Sequence, residues 1–154
     1  MRIFVAADAI TFATLIATAL LARASGSWAA PGDPAAGRLL GVVLTALLIG
    51  ASACIAFGKG RRWSRLAAAG LGLAFVLAAA YEWHSLGGAG LALGNSRFAD
   101  FFFIITGYHL AHVAAGVIAL LMYRSDTRPG TTSALAWYWH FVDAIWLVIF
   151  LVLY

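Results

Sequence analysis

The sequence predicts an all-α integral membrane protein, a bundle of five transmembrane helices. Two observations carry this prediction: an extreme composition, and five long apolar stretches with basic residues between them. Of the 154 residues, 64% are hydrophobic and 10% are charged, whereas soluble domains average roughly 45–50% and about 25%. Such a chain cannot cover itself with water-facing side chains, so we expect lipid to be its solvent.

A membrane-spanning helix needs about 20 mostly apolar residues to cross about 30 Å of hydrocarbon. The stretches that meet this length are Ile3 to Ala22, Leu39 to Phe57, Leu66 to Leu86, Phe101 to Tyr123 and Ala134 to Tyr154. Together they occupy about two thirds of the chain, which leaves no room for a sizeable soluble domain. We therefore expect a single membrane domain over residues 1–154.

The first stretch resembles a signal peptide in having Arg2 ahead of it and small residues after Ala22. Asp8 lies inside its apolar run, which is unfavourable for a cleaved signal. We therefore predict that this stretch is a retained helix.

The second stretch follows a loop with Pro31 and Pro34 and contains Cys54, the only cysteine. A single cysteine excludes both an intrachain disulfide and a cysteine-cluster metal site.

The remaining stretches are separated by segments that are typical of loops, because Gly and Pro interrupt regular structure. The third follows the basic turn Gly58 to Arg65, and the fourth follows the glycine-rich segment Gly87 to Gly94. The fifth follows a turn that contains Pro129 and Gly130.

The placement of basic residues predicts the orientation of the helices. Seven fall on one side of the membrane: Arg2, Lys59, Arg61, Arg62, Arg65, Arg124 and Arg128. Three fall on the other: Arg23, Arg38 and Arg97. Because cytoplasmic loops carry the excess of Lys and Arg, we expect a cytoplasmic N-terminus and place Tyr154 on the opposite side. A nucleic-acid site is not expected despite the net charge of +4, because such a site gathers its basic residues on one face.

Small residues recur at four-residue spacing, which predicts close helix packing in lipid. The stripes are Ala9, Ala13 and Ala17; Ala46, Gly50 and Cys54; Gly70, Ala74 and Ala78; and Gly107, Ala111, Ala115 and Ala119.

Ionisable residues within the apolar stretches are the candidates for function, because each costs about 2.5–3.5 kcal/mol in hydrocarbon unless it has a partner or a cavity. They are Asp8, Glu82, His109, His112, His140 and Asp143. Counted at about 1.5 Å per residue, His112 and Asp143 lie at similar depth, and we expect a hydrogen bond between them. Asp8 and His140 lie nearer the cytoplasmic face.

Three interpretations of these residues stay open. In the first, the residues form hydrogen bonds between helices, which stabilise the bundle by about 0.6 kcal/mol each. Alternatively, the histidines are axial ligands of a haem, although the many small residues favour close packing. In the third interpretation Asp8 or Glu82 takes up and releases protons, because burial favours the neutral form of a carboxyl. Glu82 lies near the far end of its helix beside His84, where water would hydrate it.

Two motifs give the chain a family resemblance. Residues 136–146 read AWYWHFVDAIW and residues 107–116 read GYHLAHVAAG. In this order and spacing they resemble signatures of subunit III of the haem-copper oxidases. Weaker similarities are YEWH at 81–84 and the stretch around Asp8, so the resemblance covers nearly the whole chain. The chain differs from longer members in lacking their two N-terminal helices and in having Asp8 where they carry Glu.

The resemblance implies a non-catalytic subunit of a terminal oxidase in a bacterial cell membrane. It would carry no haem or metal itself, with haem and copper in a partner catalytic subunit that it stabilises while supporting proton uptake during aerobic electron transport. The family also includes an accessory subunit of nitric oxide reductase. A haem-binding membrane anchor and a small proton-coupled transporter remain alternatives of other classes.

Overall fold

A computed structural model describes residues 2–26, 28, 34–58, 61–122 and 131–154. Its elements are the helices α1 Arg2–Ala24, α2 Pro34–Phe57, α3 Arg62–Gly88, α4 Arg97–Met122 and α5 Thr131–Leu153. All five are long and apolar enough to cross a membrane, and no strand occurs in the described ranges. The prediction of an all-α, five-helix membrane protein is confirmed.

The helices begin earlier than the apolar stretches do, because an apolar run marks only the part of a helix that lies in hydrocarbon. The largest difference is at α2, which begins at Pro34 rather than near Leu39. Arg62 and Arg65 likewise lie in the first turn of α3 rather than in the preceding turn. Some residues of the predicted loops and of the predicted charge asymmetry lie outside the described residues, namely Pro31, Lys59, Arg124, Arg128, Pro129 and Gly130.

Four helices form a closed ring. Helix α3 packs between α2 and α4, and α5 packs against both α2 and α4 from the other side. Helix α1 lies outside this ring, packs against α4 and α5, and makes no contact with α2 or α3 among the described residues. One face of α5 therefore stays open between α1 and α2.

The predicted small-residue stripes do not mark the contact faces, and this part of the prediction is wrong for most positions. Ala13, Ala17, Ala111, Ala115 and Ala119 are all exposed. Alanine is apolar enough for both lipid and a neighbouring helix, so its spacing does not identify the buried face. Of the stripe on α4, Gly107 does lie at a close contact, against Trp83.

Helices α3, α4 and α5 pack closely around Trp139, which is 1% exposed. A Cβ at Gly72 would lie 2.8 Å from its ring, and a Cβ at Gly116 would lie 2.9 Å from it. These two glycines provide the space that the indole occupies. The bundle is therefore packed as tightly as expected, but around an aromatic side chain.

Candidate functional site

Five of the six ionisable residues chosen from the sequence form hydrogen-bonded clusters between helices. The Asp8 cluster consists of Asp8, Tyr108, His112 and Tyr138. The Ser52 cluster consists of Ser52, His140 and Asp143. The Glu82 pair consists of Glu82 and Tyr154. The sixth residue, His109, has no hydrogen-bond partner for either ring nitrogen.

The Asp8 cluster joins α1 to α4. Tyr108 donates its phenol proton to Asp8 Oδ1 at 2.6 Å, and His112 Nε2 lies 2.7 Å from Asp8 Oδ2. Tyr108 and His112 are four residues apart, so both lie on the face of α4 that meets α1. Tyr138 on α5 donates to the backbone oxygen of His112 at 2.9 Å. The carboxyl is 6% exposed, although α1 lies at the periphery.

The other nitrogen of His112 fixes the protonation of this cluster. Nδ1 lies 2.7 Å from the backbone oxygen of Tyr108, and because a carbonyl only accepts, Nδ1 must carry a proton. Nε2 and Asp8 Oδ2 then share one further proton, as a carboxylic acid donating to imidazole or as an imidazolium donating to a carboxylate. Both arrangements are electrically neutral.

The expected hydrogen bond between His112 and Asp143 is wrong. Both nitrogens of His112 are engaged by Asp8 and Tyr108, while Asp143 bonds to Ser52. His140, which the same count placed nearer the cytoplasmic face with Asp8, also bonds to Ser52. Counting residues along a helix gives depth, but the pairing depends on rotation about the axis and on which helices are neighbours.

The Ser52 cluster joins α2 to α5. Ser52 Oγ lies 2.8 Å from His140 Nδ1 and donates a hydrogen bond to Asp143 Oδ2. Asp143 Oδ1 is buried and has no hydrogen-bond partner, whereas His140 is exposed. The order differs from that of a nucleophilic triad, in which the histidine lies between the serine and the carboxylate. Here the serine occupies the middle, so the arrangement does not activate its hydroxyl by that mechanism.

The Glu82 pair lies at the opposite end of the bundle from the other two clusters. Tyr154 donates its phenol proton to Glu82 Oε2 at 2.6 Å, and Glu82 is 7% exposed. The expectation that water hydrates Glu82 beside His84 is therefore wrong. Tyr154, which directly follows the last residue of α5, is the hydrogen-bond partner of this carboxyl. In the next residue of α3, Trp83 Nε1 donates to Thr106 on α4 at 3.1 Å.

His109 is enclosed by aromatic rings. Its ring stacks on Trp146 at a centroid distance of 5.2 Å and meets Phe75 at 5.7 Å and Phe12 at 6.2 Å. The side chain is 1% exposed. These contacts leave no porphyrin-sized gap beside the imidazole, which disfavours its role as an axial haem ligand. Within the described ranges, no group of three or more His, Cys, Asp or Glu side chains is placed to hold a metal ion.

Sequence reasoning missed the hydroxyl partners of the carboxyls, Ser52, Tyr108 and Tyr154. It also missed Tyr138, whose hydroxyl donates to the backbone oxygen of His112. A signal existed for Tyr108, which stands one helical turn before His112 and therefore on the same face. Ser52 is the only serine in α2, and a hydroxyl in an apolar helix commonly bonds across to a neighbour. Nothing in the sequence indicated that α2 is the neighbour of His140 and Asp143.

Comparisons with known proteins agree with the motif resemblance. Residues 56–154 match the family described as cytochrome c oxidase subunit III. Cytochrome c oxidase subunit 3 of Corynebacterium diphtheriae is 32% identical over 99% of this chain and 84% of its own length. The protein of the same name from Thermostichus vulcanus is 32% identical over 100% of this chain and 84% of its own length. The probable cytochrome c oxidase subunit 3 of Mycobacterium bovis is also 32% identical over 99% of this chain and 84% of its own length.

Proposed function

Because the chain belongs to the cytochrome c oxidase subunit III family, we propose that it is a non-catalytic subunit of a haem-copper terminal oxidase in a bacterial cell membrane. It is a multi-pass membrane protein, and membership of this family implies a complex with other oxidase subunits. The specific partner in the proposal is the catalytic subunit, which would hold the haem and copper while this chain holds neither.

The observation that carries this proposal is the agreement of the relatives' names over nearly the full length of the chain. The described residues support it in two ways. His109 is enclosed by aromatic rings rather than facing a gap, and Asp8 and His112 bond to each other rather than facing an open cavity. A supporting subunit needs such cross-helix bonds to stay rigid against its partner.

The Asp8 cluster is our candidate for a second role, support of proton uptake from the cytoplasmic side. Asp8 lies about 9 Å along α1 from Arg2, at about 1.5 Å per residue. In this role the hydrogen-bonded pair of Asp8 and His112 would hold a proton close to the cytoplasmic face and pass it on during turnover.

An accessory role in nitric oxide reductase is not favoured, because the relatives carry oxidase names. For a haem-binding anchor, the packing around His109 is unfavourable. A transporter would move its substrate without a catalytic partner, so transport by this chain alone would distinguish it from an oxidase subunit.

Co-purification tests the proposal directly. The tagged chain, isolated from its native membrane in mild detergent, should bring with it a haem-copper catalytic subunit in fixed stoichiometry. The isolated chain should lack stoichiometric iron and copper by elemental analysis. Co-purification of a nitric oxide reductase, or metal bound to the chain alone, would contradict the proposal. Uptake driven by a proton gradient in liposomes that contain this chain alone would support the transporter.

A further inference from the structure

The Ser52 cluster connects an exposed imidazole to a buried carboxyl through one hydroxyl. We propose that Ser52, His140 and Asp143 form a proton relay, which loads and unloads Asp143 from the open face of α5. This inference does not depend on the oxidase partner, because every member of the relay belongs to this chain.

The hydrogen bonds form an unbroken path. In the unloaded state, His140 Nδ1–H donates to Ser52 Oγ across 2.8 Å, and Ser52 donates to the Asp143 carboxylate. The hydroxyl can do both, because it has one donor and two acceptor lone pairs. His140 Nε2 then presents a lone pair at the exposed end of the path.

Loading moves one proton inward at each position. A proton from water binds His140 Nε2, the Nδ1 proton passes to Ser52 Oγ, and the serine proton passes to Asp143 Oδ2. Afterwards Asp143 is a carboxylic acid that donates to Ser52, Ser52 donates to Nδ1, and His140 is the neutral Nε2–H tautomer. One proton has entered, the charge of the cluster has changed from −1 to 0, and the reverse sequence unloads it.

The burial of the carboxyl explains why the proton stops at Asp143. Its Oδ1 is buried without a hydrogen-bond partner, and an ionised carboxylate with one oxygen unpaired in apolar surroundings is costly. Protonation removes that charge. The path has no described continuation beyond Oδ1, so the relay acts as a reversible proton store.

We place the exposed end of the relay near the membrane–water boundary. His140 stands in an exposed stripe of α5 one turn after Trp137, which is 75% exposed. It is about 10 Å from Ser133, at about 1.5 Å per residue, and aromatic side chains such as Trp137 favour the membrane–water boundary. Trp137 and His140 are both exposed in the described structure, so neither α1 nor α2 covers this stripe.

The other ionisable side chains on the helices that pack against α5 have different partners or positions. On α1, Asp8 bonds to α4, and Arg23 donates to the backbone oxygen of Val152 at the far end of α5. On α4, His112 is engaged by Asp8, and His109 is enclosed by aromatic rings.

On α2, Arg38 lies in the first turns, about 20 Å from Ser52 at about 1.5 Å per residue. Cys54 has a free thiol. Tyr138 on α5 itself donates to the backbone of His112.

Infrared spectroscopy of the full chain in lipid nanodiscs tests the relay. The carboxylic acid band that is lost in Asp143→Asn is assigned to Asp143, and its rate of shift after transfer to D2O is measured. Ser52→Ala should slow this exchange by about a hundredfold or more, the usual contribution of a positioned proton-transfer group. His140→Phe should do the same. Ser52→Thr, which keeps the hydroxyl, should restore fast exchange.

Thr45→Val is the matched control, since it removes another hydroxyl of α2 that bonds across to α5, at Trp146, and should leave the exchange rate unchanged. Equal rates in wild type and Ser52→Ala would overturn the relay. The relay would also be overturned if the wild type showed no carboxylic acid band assignable to Asp143 at any pH. That result does not depend on how any other variant folds. Failure of the co-purification experiment would leave this measurement intact, so the two proposals can fail separately.

Discussion

At the scale of single residues, the partner of Asp8 decides how the carboxyl can work. A buried carboxyl without a partner would be a simple proton carrier. Asp8 instead shares its proton with His112 and accepts a hydrogen bond from Tyr108. The carboxyl and the imidazole therefore act as a pair, and replacing either side chain with an apolar one removes the hydrogen bond of both.

Asp8→Asn separates structure from titration. The new amide can accept from Tyr108 and donate to His112 Nε2, because Nδ1 of His112 already carries the other ring proton. We expect the complex to assemble normally and to show slower or shorter-lived turnover, severalfold at most, with the largest effect at high pH where proton supply limits. Oxygen consumption over time checks this across pH. Wild-type rate and lifetime throughout that range would reduce Asp8 to a structural role.

His109 and His112 give opposite expectations for the same substitution on one helix. His109→Phe removes an imidazole with no hydrogen-bond partner from an aromatic enclosure, so stability should rise by about 1 kcal/mol, since an unsatisfied buried polar group costs about 1–3 kcal/mol. His112→Phe leaves Asp8 without its paired partner and should cost as much as about 3–5 kcal/mol. Reversible unfolding by titration with SDS compares them. Strong destabilisation by His109→Phe would show that His109 has a polar partner.

At the scale of helices, the contact between α3, α4 and α5 is built around Trp139. In lipid, helices gain little from burying apolar area against one another, so close packing and hydrogen bonds must hold them together. Gly72 and Gly116 allow the indole to lie against both helices. Polar contacts tie the peripheral α1 to the ring near each of its ends, Asp8 to α4 and Arg23 to the last turn of α5.

Two glycines of α3 test this packing. A Cβ at Gly72 would lie 2.7 Å from Val117 and 2.8 Å from Trp139, whereas a Cβ at Gly70 meets nothing within 4 Å. Gly72→Ala should therefore destabilise the bundle by about 1–3 kcal/mol through overpacking. Gly70→Ala should be neutral or stabilising by up to about 1 kcal/mol, because alanine favours a helix more than glycine does. Unfolding in SDS measures both, and equal effects would contradict the assigned contact face.

At the scale of the whole molecule, the closed ring of α2 to α5 and the external α1 set the positions of the three clusters. The Asp8 cluster lies between α1 and the ring, while the Ser52 cluster faces the opening between α1 and α2. Both lie in the half of the bundle that contains the first turns of α1 and α5. If the basic side is cytoplasmic, both clusters lie towards the cytoplasm and the Glu82 pair lies towards the opposite face.

Cysteine labelling tests the orientation. In a Cys54→Ala background, Gly60→Cys should react in intact cells only after the membrane is permeabilised, because the basic loops favour the cytoplasm. A cysteine appended after Tyr154 should react with the same impermeant maleimide from outside. The reversed pattern would invert the topology and place the Asp8 cluster at the periplasmic side.

The sequence by itself determined the fold class, the number of helices and the family. Each follows from local information: apolar length sets the number of spans, and the fixed order of aromatic, His and Asp residues in two helices identifies the relatives. It also singled out Asp8, Glu82, His109, His112, His140 and Asp143, because an ionisable side chain in an apolar stretch stands out without any knowledge of its neighbours.

Only the tertiary structure decided which of these residues meet. The sequence gives the depth of a residue from its position along the helix, but the choice of partner depends on helix neighbours and on rotation about each axis. In a soluble protein, hydrophobic periodicity reveals that rotation. Here the lipid and the interior of the bundle are both apolar, so alanine lies on exposed and buried faces alike. The hydrophobic pattern therefore does not reveal how each helix is rotated. For that reason only the structure shows that Asp8 bonds to His112 and that Asp143 bonds to Ser52. It also shows that Gly72, rather than Gly70, lies where α3 contacts α4 and α5.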